Sequence, residues 1–186
     1  TLGGALSRET LRYKNWINRA WRAIQSRHRT WRFMEAEFTF DTTPGTQDYL
    51  ASAAPVGLTD FANWKLDSIR CWTTSLGSPD EQILPFMDWD TFREVYLYGA
   101  NRALQQRPVV FTVDPNKRIV LGPTPNVAYT ISGYYRKSPQ TLSADTDVPA
   151  IDEEFHELIV HKCYVSHLFY IILRRWILFI AFFWAL

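Results

Sequence analysis

Arg8, Arg12, Arg19, Arg22 and Arg29 recur along the start of the chain at intervals of three, four and seven. At about 100° per residue they fall on one stripe of a helix, and no carboxylate interrupts them. Guanidinium groups in a row suit anions, gripping carboxylate or phosphate through paired N–H donors. The anion could be nucleic-acid phosphates passing nearby or the acidic patch of a partner protein. The plain alternative is a solvated helix face. Pairing at i, i+4 would mix the two signs, however, and this stripe carries one sign only, which points to something negative opposite it.

Other residue types with chemical potential do not assemble into a site. His28, His156, His161 and His167 show no zinc-type i, i+4 spacing among themselves, and Cys71 and Cys163 are far apart in no metal or redox spacing with each other. A phosphate-binding loop, a nucleophile elbow and a dinucleotide fingerprint are all absent from the sequence. The carboxylates of Asp88 and Asp90, and of Asp152, Glu153 and Glu154, stand where helix N-termini favour negative charge. The expectation is a chain with no catalytic residues, no cofactor and no metal. Tyr129, Tyr134 and Tyr135 could stack bases, as in single-strand binders. Their alternation with Ile131 reads instead as a half-buried strand whose aromatics pack in a core or an interface.

The elements that must carry these residues follow from periodicity. Tyr13, Trp16, Ile17, Ala20, Ala23, Ile24 and Trp31 recur at helical spacing, predicting an amphipathic helix from Arg8 to about Thr30 with Ser7 as its N-cap. Its basic stripe lies opposite the apolar face. The period then changes to two: Phe38 and Phe40, the Pro-Gly turn of TTPGTQ and Tyr49 predict a hairpin. Ile69 to Thr73 reads as a strand, and Asp88 or Asp90 as the cap of a short helix ending near Gly99. The stretch RPVVFTVDPNKRIVLGPTPNVAYTISGYYRKSP reads as a three-stranded meander. SPQTLSADTDVPA has loop chemistry, and IDEEFHELIV opens a further helix.

Composition sets the outer bounds. The chain has 186 residues, 47% hydrophobic and 16% aromatic with eight tryptophans, enough for one sizeable core with an appended subdomain. The net charge of +1 hides a polarity. Residues 1–32 hold eight basic and one acidic side chain, 33–157 hold nine and eighteen, and 158–186 hold three and none. Such a bipolar subunit suits head-to-tail stacking or contact with a polyanion. Two distant cysteines suggest a reducing compartment, and the N-terminus lacks the apolar run of a secretory signal. The closing stretch LFYIILRRWILFIAFFWAL is broken by Arg174 and Arg175 and is too short on either side for a membrane span of about 20 apolar residues. Burial by protein is expected, and membrane anchoring is not.

Two stretches, WINRAWRAIQSRHRTWRF followed by FTFDTTPGTQDYL, and RPVVFTVDPNKRIVLGPTPNVAYTISGYYRKSPQTLSADTDVPAIDEEFHELIV, together resemble the head-to-tail adaptor (connector) proteins of tailed bacteriophages, including the tail-tubular-protein-A type. The likeness runs from about residue 10 to 160 and rests on the order of elements and their Pro, Tyr-Tyr and Phe-His punctuation. It implies an α+β fold: a helical bundle of residues 1–35 and 145–186, the long N-terminal helix packed with one or more C-terminal helices. An antiparallel β-subdomain, 36–144, is inserted, with a short helix near 89–98. It also implies a non-enzymatic virion protein, assembled in the host cytoplasm as a dodecameric ring between the portal and the tail or nozzle. Double-stranded DNA would pass through its channel. Arg8, Arg12, Arg19, Arg22 and Arg29 would form the electrostatic face toward DNA or partner, and Trp16, Trp21, Ile24, Tyr134 and Tyr135 the core or interface anchors. The closing stretch departs from the polar helix expected there and would serve as a docking segment. The competing expectation is a monomeric nucleic-acid-binding module using the arginine stripe with Tyr129, Tyr134 and Tyr135, and a third is a peripheral membrane protein held by its C-terminus.

Overall fold

The computed structural model describes residues 2–27, 31–166 and 168. The chain divides into two compact units, Met34–Ser138 on the one hand and Thr1–Phe33 with Pro139–Leu186 on the other.

The unit Met34–Ser138 is built on one long central strand. Eight strands are described: β1 Glu35–Asp41, β2 Asp48–Tyr49, β3 Phe61–Trp64, β4 Arg70–Thr73, β5 Gln82–Ile83, β6 Val110–Val113, β7 Ile119–Gly122 and β8 Tyr129–Lys137. β8, rich in aromatic and β-branched residues, lies antiparallel to the full length of β1, from Glu35 opposite Arg136 to Asp41 opposite Thr130. β4 and β3 share its other edge, and β5 extends the sheet beyond β4. The second sheet has the order β2-β7-β6. Period-two alternation turns Phe38, Phe40, Ile131 and Tyr135 inward to meet Trp64, Phe111, Ile119 and Leu121 in one apolar core.

Three sequence expectations are corrected here. β1 and β2 do not form a hairpin, since β1 pairs with β8 and β2 with β7. β6, β7 and β8 are not one meander: β6 and β7 pair, but β8 belongs to the other sheet. Pro123 and Pro125 lie between β7 and β8 and offer no N–H, so the ladder cannot run through and the chain changes sheets. Nor is the fold a helical bundle with a β insertion. It is mostly β, in two antiparallel sheets, and no long helical bundle exists among the described residues. A bundle needs several extended 3.6-period patterns. The described residues supply one, α1 at Leu2–Arg27, together with a four-residue α2 at Trp89–Phe92 and a helix over residues 156–166, α3.

α2 is capped by Asp88, whose side chain accepts from the Asp90 N–H at 3.1 Å, and it runs on as a π-helical turn through Arg93–Leu97. It packs against β7 at Gly122, where a Cβ would come within 2.6 Å of Phe92 and 2.9 Å of Tyr96. Phe92 is fully buried and cannot swing away. Gly122→Ala is therefore expected to destabilise the protein by about 1–3 kcal/mol through overpacking, read as a lower urea midpoint with an unchanged slope.

The loop after β4 is held by charge. Arg107 donates to both Asp80 carboxylate oxygens at 2.8 and 2.9 Å and to the Asp80 carbonyl at 2.8 Å, while the Thr73 N–H donates to Asp80 at 2.9 Å. The Arg107 hydrogen bonds, then the Thr73 donor, lower the Asp80 carboxyl from its ordinary 3.8 to about 2. A carboxyl more acidic when folded than unfolded contributes stability above its unfolded value, and that contribution fades as pH falls from about 4 toward about 2. Denaturation titrated across that interval should show an acid loss that Asp80→Asn reduces.

Candidate functional site

α1 contains 26 residues and no acid in its first turn. It begins at Leu2, ahead of the expected cap at Ser7, even though Gly3 and Gly4 are weak helix formers. Its buried side is turned from the one that apolar spacing marked out. Ala20, Trp21 and Gln25 are buried and Ile24 half-buried, whereas Tyr13 is 57% exposed and Ala23 is exposed.

Two amides account for the rotation. Asn18 donates to the Leu142 carbonyl at 2.6 Å and accepts from its N–H at 2.8 Å. Gln25 does the same to Gln140, at 3.0 and 2.8 Å. Residues 18 and 25 lie two helical turns apart on one side of α1, so both grip the 140–142 segment as a neighbouring strand would. Between them Trp21 stacks on Phe33 at 5.7 Å and donates its indole N–H to Gln140 Oε1 at 3.3 Å. With Ala20, Ile151 and Ile159 it forms the small core of this unit.

The basic stripe is left on the outside. Arg8, Arg12, Arg19 and Arg22 are all exposed, and Arg29 lies outside the described residues. Arg22 donates to Thr141 Oγ1 at 3.2 Å, and the Arg12 guanidinium rests over the Trp16 ring at 5.4 Å. Arg8 and Arg19 enter no ion pair among the described residues, and the ion pair that α1 does make there is Lys14 with Asp145 at 2.7 Å. Beside the stripe an open groove of about 570 Å³ runs between α1 and α3, lined by Tyr13, Trp16 and Ile17 with Arg12 and Glu9 on one side and by Val160, Cys163 and Tyr164 on the other. Tyr13 meets Trp16 edge to face at 5.6 Å. Spacing alone gave no sign of this groove, because Tyr13 and Ile17 read as core. What makes them surface is the rotation that Asn18 and Gln25 impose.

The tyrosines of β8 separate rather than converge. Tyr129 and Tyr135 point into the core, with the Tyr135 hydroxyl donating to Asp60 at 2.7 Å, and burial, helped by Asp60, pushes that phenol up to about 12. Tyr134 faces out, 45% exposed, under the Lys65 ammonium at 5.9 Å. No shared platform for bases exists on these three residues. Among the described residues no group of three or more His, Cys, Asp or Glu side chains is arranged to hold a metal, and no helix is long and apolar enough to cross a membrane.

The site thus offers an anion-seeking face next to apolar surface that the described residues leave open, the two components of a protein docking site. A family model described as SU10 adaptor protein matches residues 3–170 of the chain. No curated protein matches it.

Proposed function

The chain belongs to the SU10 adaptor protein family, a bacteriophage adaptor family with a structural, head-to-tail connecting role, and from that membership we propose that copies of it form a ring joining the portal to the tail or nozzle. Packaged double-stranded DNA passes through the channel of this ring, which closes the exit after packaging and guides DNA during ejection. Kinship with the tail-tubular-protein-A type is part of the proposal, supported by the order of the Pro, Tyr-Tyr and Phe-His motifs. So is the dodecamer. In a ring each weak surface repeats, and many such contacts sum to a firm attachment without an active site.

The observation that carries the proposal is the exposed stripe of Arg8, Arg12 and Arg19 alongside an open apolar groove, on a unit whose own core is small. The competing nucleic-acid module would stack bases on Tyr129, Tyr134 and Tyr135, and of these Tyr129 and Tyr135 are buried.

Purified chain mixed with portal particles provides the test. Electron micrographs should show a ring seated on the portal, while binding of the free chain to DNA stays weak. A chain that ignores the portal and binds DNA tightly as a monomer, with a steep loss of affinity on adding salt, contradicts the proposal.

A further inference from the structure

We infer that the stripe and groove of one copy receive the acidic start of α3 of a second copy, with Asp152, Glu153, Glu154 and Glu157 against the arginines and Phe155 and Leu158 in the groove. The inference rests on the ring reading above and deepens it by naming the two faces that meet.

The acidic segment has the complementary composition and no charged partner among the described residues of its own unit. Its four carboxylates are exposed, and none enters an ion pair among the described residues. Asp152 heads the turn Glu153–Phe155 yet makes no side-chain capping hydrogen bond. Between the acids, Phe155 is 42% and Leu158 48% exposed. Large apolar side chains flanked by carboxylates match an apolar trough that Arg12 and Glu9 also line, beside a stripe that continues through Arg8 and Arg19, and such complementarity fixes register and excludes wrong partners. The buried apolar core on which both faces stand is small, four residues with a few partly buried neighbours. Covering Tyr13, Ile17, Val160 and Tyr164 would remove further apolar area from water.

Charge excludes one arrangement. A two-fold contact through the stripe alone would set arginines against arginines, so the stripe must meet a different surface. Where that contact is not returned across a two-fold axis, it propagates from copy to copy and closes into a ring when the rotation allows. DNA could satisfy the arginines but would leave Phe155, Leu158 and the groove without a partner.

The experiment uses the full chain in four forms: wild type, Arg8, Arg12 and Arg19 reversed to Glu, Glu153, Glu154 and Glu157 reversed to Arg, and all six reversed together. Circular dichroism and thermal melting establish folding, and Arg→Gln at the same three positions serves as the milder variant. Self-association is measured by mass photometry, alone and on portal, at low and high salt. Each single-face reversal should weaken association on the order of 100-fold, as reversing several close charge pairs does. The six-fold reversal should return to within about tenfold of wild type, as should an equimolar mixture of the two single-face variants. The Arg→Gln chain should fall between wild type and the reversed stripe. Stripe variants that assemble as wild type overturn the inference, whether the arginines then prove to serve DNA, the portal, or residues 169–186 of the same chain. Folded single-face variants that are not rescued by combination overturn it as well. Wild type that assembles neither alone nor on portal overturns the ring reading itself, a different outcome from either.

Discussion

Trp21→Ala is expected to cost about 3–5 kcal/mol, the range for removing a fully enclosed large aromatic. Trp21 is 0% exposed and stacks on Phe33, and it holds together a core whose other buried members are Ala20, Ile151 and Ile159. With so few partners the cavity has little with which to fill itself. The indole N–H bond to Gln140 is lost too, but Gln140 Oε1 keeps the Ala150 N–H at 2.9 Å, so no buried acceptor is stranded and the cost is chiefly one of packing. Limited proteolysis gives the local readout: cleavage between residues 139 and 151 should accelerate well before the strands of the Met34–Ser138 unit become accessible. Equal protection of both units in the variant would show that Trp21 does not anchor this segment.

Phe111→Ala should have an effect of the same size in the other unit, about 3–5 kcal/mol. Phe111 is 0% exposed on β6, opposite Leu121 of β7, and its ring meets Phe86 edge to face at 5.7 Å. Its backbone is committed as well: its N–H donates to the Pro85 carbonyl at 3.1 Å and its carbonyl accepts from Met87 at 2.8 Å, so the segment before α2 covers the edge of β6. Removing the ring opens the core and loosens that cover. Since domains are stable by only about 5–15 kcal/mol, urea denaturation should show a large drop in midpoint. Val109→Ala, at a site 54% exposed two residues away, should stay within about 0.5 kcal/mol of wild type.

Periodicity in the sequence revealed element type far better than element partnership. Alternation at Phe38 and Phe40 and around Ile131 identified β1 and β8 and the faces they bury, because a strand's inward side is set locally. It carried no information on which strand lies alongside, and so the hairpin and the meander were both misassigned. Proximity in sequence favoured them, while Pro123 and Pro125 redirected the chain between sheets. The helix that carries Arg8, Arg12, Arg19 and Arg22 was legible for the same local reason, since like charges at helical spacing share a side wherever the helix is real. Which side of that helix is buried was not legible. It depends on Asn18 and Gln25 finding the backbone of residues 140–142 more than a hundred positions away. A polar residue's burial is settled by its distant partner. The bundle expectation came from resemblance, whereas the apolar pattern of Met34–Ser138 has a period of two and builds the two sheets.

The most direct measurement is electron cryomicroscopy of the assembled head-to-tail joint at side-chain resolution, read at Arg8, Arg12 and Arg19. Guanidinium nitrogens within about 4 Å of carboxylates from an adjacent copy, with its Phe155 and Leu158 in the groove between α1 and α3, are the predicted result. An assembly in which those arginines lie on the genome or face open solvent, away from the carboxylates of the adjacent copy, would contradict it.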